Sequence, residues 1–180
     1  MGNRSATIRG TCHKFGHDLH MDTDVLPHKY AYTYPFDTEK LIPHLFEEVR
    51  SGFHKTTKPG DFIVAGRNFA FGKAHPQALI AIAGLELQLL CESMPFAAYR
   101  GAISRGIVCH RACKGITELV DDGDDIEMNF ATGTFVNHTR GTRADFPPVA
   151  QRLLDMMLLG GVKPMLERWR DEQAAAAAQR

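Results

Sequence analysis

The stretch KPGDFIVAGRNFAFGKAH, Lys58–His75, changes character twice within eighteen positions. Pro59 and Gly60 make a turn, and the apolar run Phe62–Ala65 that follows predicts a short buried strand. Gly66 and Gly72 then loosen a loop around Asn68. HPQALIAIAG reads as a helix ending near Gly84, with Pro76 tolerated in its first turn. LELQLLCES reads as the next strand. Strand, glycine-bearing loop, helix and strand make a βαβ unit, so the chain is expected to be α/β with a parallel core.

Working outward, ATIRGTCHKF alternates enough to be an opening strand. GHDLHMDTDVLPHKY is polar and turn-rich and reads as a loop or short irregular segment. DTEKLIPHLFEEVRSGF predicts a helix capped by Asp37 or Thr38, with Leu41, Leu45, Phe46 and Val49 on one face and Pro43 confining its start. MPFAAYRGAISRG is a second short helix and IVCH a third short strand. Turn signals at Asp122-Gly123 and Thr132-Gly133 flank alternating Ile126, Met128 and Phe130, which predicts antiparallel hairpins. PPVAQRLLDMMLLGG is a helix opened by prolines and closed by glycines. VKPMLERWRDEQAAAAAQ is a last helix with a fraying, solvated alanine tail. No repeat or linker divides the chain, so residues 1–180 form one domain, with a core over about 8–170 and a tail over 171–180.

Of the 180 residues 44% are apolar, and 21 basic side chains balance 21 acidic ones. That balance fits a folded globule and gives no electrostatic case for nucleic-acid binding. No apolar run approaches the ~18 residues of a membrane span, and the N-terminus has no signal-peptide core. The four cysteines form no CxxC pair, so buried thiols in a reduced, cytoplasmic protein are expected and no metal site is.

The loop after the first βαβ strand lies at the strand's carboxyl end, where ligands of such units bind, with the next helix pointing its free N–H groups at it. Asn68 has two amide donors for an anion, Lys73 a point charge, and His75 a proton to give or take near neutral pH. The spacing matches neither a P-loop nor a dinucleotide fingerprint. Taken by itself, the segment is equally a tight turn with an exposed lysine and a capping histidine.

Several ordered segments carry a resemblance. HMDTDVLPHKY resembles a D-x-D-T-D-x-I-x-P segment at Asp22, Thr23, Asp24 and Pro27. KPGDFIVAGRNFAFG resembles K-x-G-D-I-I-V-A-G-x-N-F-G-x-G at Gly60, Asp61, Gly66, Asn68, Phe69 and Gly72. CESMPFAAYRGAISRGI resembles A-E-S-F-x-x-I-F-x-R-N-x-x-N-x-G at Glu92, Ser93, Arg100 and Gly106. Their order and spacing resemble the small subunits of 3-isopropylmalate dehydratase, the swivel domain of the aconitase superfamily. The resemblance implies a swivelling, barrel-like β/β/α domain that closes over a [4Fe–4S] cluster held by a separate large subunit. No cofactor is then expected in this chain. The implied reaction isomerises a small hydroxy di-acid such as 3-isopropylmalate by dehydration and rehydration, as a hydro-lyase of leucine biosynthesis. Self-association of the lone chain is a general expectation only.

The family follows its G-x-N-F-G-x-G with S-S-R-E-H, where a serine is the base and the arginine grips a carboxylate. Here Gly72 is followed by Lys73, Ala74 and His75. An ungapped register sets Lys73 and Ala74 at the serines and His75 at the arginine; a local deletion would make His75 the family's histidine instead. Lys73 as base and His75 as carboxylate holder are the expected catalytic pair, with Asn68, Gly72 and Ala74 binding substrate. Tyr30, Tyr32 and Thr33 occupy the family's substrate-selecting segment, and without an arginine they suit an uncharged substituent. The alternative is a non-catalytic binding or assembly module that keeps the fold.

Overall fold

The computed structural model describes residues 5–32, 34–73 and 75–178. Seven strands form one mixed sheet: β1 (Thr7–Lys14), β2 (Phe62–Ala65), β3 (Gln88–Cys91), β4 (Cys109–His110), β5 (Asp125–Asn129), β6 (Thr134–Asn137) and β7 (Thr142–Asp145), ordered β4-β3-β2-β1-β5-β6-β7. The sheet curls into a half-barrel. The α/β class, the parallel βαβ core and the antiparallel hairpins are as the sequence predicts.

β1 joins the two halves along its own length. Thr7–Thr11 pair antiparallel with β5, and Cys12–Lys14 pair parallel with β2. Asp61, only 5% exposed, fixes the junction. Its carboxylate accepts the backbone N–H of Thr11 at 2.9 Å and of Lys58 at 2.8 Å, and meets His13 Nε2 at 3.2 Å. A buried carboxylate needs this many partners to offset its lost water.

The helices are α1 (Thr38–Leu41), α2 (Pro76–Gly84), α3 (Phe96–Ser104), α4 (Gln151–Leu158) and α5 (Val162–Ala178). β2–α2–β3 and β3–α3–β4 are short crossovers between parallel neighbours, and the longer connection carrying α1 joins β1 to β2. β2 and β3 are buried at every position, as strands covered on both faces must be. The alternation of β5 puts Ile126 and Met128 inward.

One expected helix breaks. α1 starts at Asp37, whose side chain accepts the Lys40 N–H, but it ends after one turn and a 3₁₀ turn over Ile42–His44 follows. Pro43 has no N–H for the ladder. Leu45 then turns extended and Phe46 takes a φ of 57°. That bend buries Leu45 and Phe46 completely and leaves Val49 exposed, so the single apolar face does not exist. Within the loop expected over residues 16–30, Met21–Val25 forms one wide helical turn, with Val25 N–H donating to His20 O. α5 stays helical through Ala178 with Ala174–Ala177 exposed, and among the described residues no helix is long and apolar enough to cross a membrane.

Candidate active site

The parallel strands deliver three loops to one edge of the sheet, and backbone hydrogen bonds lock them together. Residues 16–21, leaving β1, run beside residues 66–71, leaving β2. Gly66 N–H donates to Gly16 O, Asp18 N–H to Arg67 O, Phe71 N–H to Leu19 O and Met21 N–H to Phe71 O. From the loop after β3, Ser93 accepts the Asn68 N–H on Oγ at 2.8 Å and the Phe69 N–H on its carbonyl at 2.9 Å.

Two histidines that the sequence offered no means of placing brace the two loop glycines. A Cβ on Gly66 would lie 2.1 Å from His17 Nδ1, and one on Gly72, at φ 98°, would lie 2.4 Å from His20 Nε2. His17 Nδ1 also accepts the Arg67 N–H, and His20 Nδ1 accepts that of Asp22. The room left by the two absent side chains is therefore filled by imidazole. Asn68 (φ 60°) and Ala70 (φ 58°) hold left-handed backbone between them. Asparagine tolerates that conformation; Ala70 stands where the family pattern has glycine, and it is buried. One Asn68 amide donor goes to Asp18 Oδ1 at 3.1 Å, which leaves one for a ligand.

His75 caps the N-terminus of α2, and its Nδ1 lies 2.8 Å from both carboxylate oxygens of Asp22. Both side chains are largely buried, at 18% and 9% exposure. A carboxylate at Nδ1 makes that nitrogen the donor and leaves Nε2 as the proton acceptor of the neutral ring. Nε2 has no hydrogen-bond partner among the described residues. Tyr32 and His28 frame the imidazole with ring centroids at 5.1 and 6.4 Å. Asp22 and His28 also line a hollow of ≈ 410 Å³ with Thr23, Pro27 and Glu48. Another hollow of ≈ 410 Å³, lined by Ser5, Arg9, Pro59 and Glu86, lies at the amino ends of β2 and β3, away from this edge.

The remaining expected residues divide. Lys73 is exposed, and its ammonium has no partner among the described residues. Tyr32 is 60% exposed and faces His75. The Tyr30 hydroxyl lies 2.9 Å from His44 Nδ1, which also lies 2.7 Å from a Glu47 carboxylate oxygen, and the Tyr30 ring stacks on that imidazole. Thr33 and Ala74 lie outside the described residues. Asp22 was legible in the sequence only as part of the D-x-D-T-D segment, because its partner His75 lies 53 residues away on another loop. Gln77, two residues after His75, is fully buried, and neither amide atom has a partner among the described residues.

The thiols do not suit an iron–sulfur cluster. All four are buried, and burial pushes Cys12 and Cys91 up to about 12 and raises Cys109 and Cys113 as well. Cluster ligation needs accessible thiolates. Among the described residues no group of three His, Cys, Asp or Glu side chains could hold a metal.

A curled half-barrel sheet with strapped loops at its parallel edge is the fold expected of such a small subunit. No family model matches the chain. Individual relatives do. The isopropylmalate/citramalate isomerase small subunit of Methanocaldococcus jannaschii is 34% identical over 164 residues, 89% of this chain and 94% of that one. The 3-isopropylmalate dehydratase small subunit of Nitratidesulfovibrio vulgaris is 32% identical over 157 residues, 86% of this chain and 91% of the other. The crystal structure of 3-isopropylmalate dehydratase (leuD) from M. jannaschii superposes with a TM-score of 0.85 at 27% identity, covering 94% of this chain and 99% of that one. The chain belongs to the 3-isopropylmalate dehydratase small-subunit family.

Proposed function

We propose that this chain is the small subunit of an aconitase-type hydro-lyase that isomerises a small hydroxy di-acid, 3-isopropylmalate or a close relative, together with a large subunit. Full-length similarity to small subunits bearing that name supports the partner and the reaction class. A [4Fe–4S] cluster, supplying Lewis-acid binding of the substrate hydroxyl and carboxylate, belongs to the large subunit, since no thiol here suits it.

The observation that carries the chemistry is the His75–Asp22 contact at 2.8 Å. It supports His75, rather than Lys73, as the group that takes a proton through Nε2, with Asp22 setting its tautomer and steadying the charged ring. Lys73, exposed to solvent, suits the substrate carboxylate as a point charge, a weaker grip than the family's forked guanidinium. The roles expected from sequence are thereby exchanged.

The test is co-expression with an iron–sulfur large subunit, followed by an ultraviolet assay for alkene-acid formation over a panel of hydroxy di-acids. Complex formation and turnover are expected. A complex without turnover on any substrate would return the chain to a binding or assembly role.

A further inference from the structure

A second polar hollow, ≈ 250 Å³, lies between α2 and α3 and is lined by Pro76, Leu79, Ala97, Arg100, Gly101, Ser104 and Arg105. None of Asp22, Tyr32 or His75 lines it. Its lining includes two arginines, the exposed Arg100 and the half-buried Arg105, and no acidic residue. Elsewhere Arg9, Arg50, Arg140, Arg168 and Arg170 each pair with a carboxylate. Arg100 and Arg105 have no acidic partner among the described residues.

Arg105 is half-buried, and burial holds its guanidinium below the ordinary arginine value. Its Nη1 donates to Gly101 O at 3.0 Å, which leaves the rest of the fork undirected. The first turn of α2 faces the same space through Pro76 and Leu79, and the positive end of a nine-residue helix adds to the field there. A partly desolvated cation without a counter-ion is costly, and an anion between two guanidiniums and a helix N-terminus offsets that cost.

We propose that this hollow is a binding site for a small oxyanion, a carboxylate or a phosphate, held between Arg100 and Arg105 against the first turn of α2. Ser104 offers a hydroxyl at the same wall. The volume admits a four- or five-carbon di-acid or an inorganic phosphate but no nucleotide. The site is separate from the proposed reaction centre and does not depend on it.

The full chain is titrated with succinate in one arm and inorganic phosphate in the other, by calorimetry and by amide chemical shifts. Saturable binding with a Kd of about 1 mM or tighter is expected in at least one arm, and the tighter arm names the ligand class. The perturbed amides should be those of Gly101, Ser104 and Arg105, and Arg100→Ala and Arg105→Gln should each weaken binding about tenfold or more. Arg105→Lys, which keeps the charge and the helix contact, serves if either variant misfolds, and it too should weaken binding. No binding in either arm, shifts confined to residues 66–75, or affinity unchanged in the arginine variants overturns the proposal.

Discussion

Asp22 and His75 are 53 residues apart, and each looks ordinary where it stands. Asp22 sits in a turn-rich segment that predicts only local hydrogen bonds; His75 sits before a proline at a helix start. Contact between them turns two unremarkable side chains into a unit with a fixed tautomer. In the reconstituted complex, His75→Gln should lower kcat by about 10²-fold or more, while Lys73→Ala should act mainly on KM. Steady-state kinetics on both variants checks the split, and near-normal kcat in His75→Gln would remove the histidine from proton transfer. Ring-nitrogen NMR of the isolated chain should show His75 protonated at Nδ1, and Asp22→Ala should release it to a tautomer mixture. Gln77 tests the opposite kind of residue. Its buried amide has no partner among the described residues, so Gln77→Leu should stabilise the fold by about 1 kcal/mol, read as a raised denaturant midpoint at unchanged slope.

At the scale of elements, the segments with one clear signal formed as predicted. α2 begins at Pro76 and ends at Gly84, and β2 and β3 take up their apolar runs. The segment that carried two signals did not. Helical spacing through Val49 competed with Pro43, and burial of Phe46 in an aromatic cluster with Phe15 and Phe53 settled it. Propensity is worth a fraction of a kcal/mol per residue, whereas burying a phenylalanine is worth about 2 kcal/mol. The β1–β2 junction depends on the Asp61 carboxylate. Asp61→Ala orphans two backbone donors and should cost about 3 kcal/mol in denaturant unfolding. β4 is pinned through His110, which donates from Nε2 to Pro147 O and accepts the Ala112 N–H on Nδ1. Burial holds its imidazole below the ordinary value, opposed only by the Pro147 carbonyl. The unfolded chain therefore binds more protons than the folded one as pH falls below about 6.5. The stability this gives is whole above that pH and is lost toward acid. Unfolding midpoints should accordingly drop between about pH 7.5 and 5 in the wild type, and less in His110→Gln.

Across the whole molecule, stability and function separate along the sheet. The core lies under the crossovers and hairpins, whereas the chemistry gathers where the parallel strands end. The exposed end of α5 contributes to neither. Deleting residues 171–180 should change stability by less than about 0.5 kcal/mol, and a larger loss in thermal unfolding would give the alanine run a structural role. The sequence by itself determined the family, the α/β class and the position of the strapped loop, since Gly66, Asn68, Phe69, Gly72, Glu92 and Ser93 are ordered along the chain and local spacing is enough to show them. It also showed that Lys73–His75 departs from the family pattern. Only the tertiary structure decided which side chains meet at that loop. The β1 loop lies against the β2 loop because parallel pairing of β1 and β2 brings their carboxyl ends together, and no periodicity encodes which side chains then meet. That pairing set His17 and His20 against two glycines, Asp22 on His75, and left Lys73 in water.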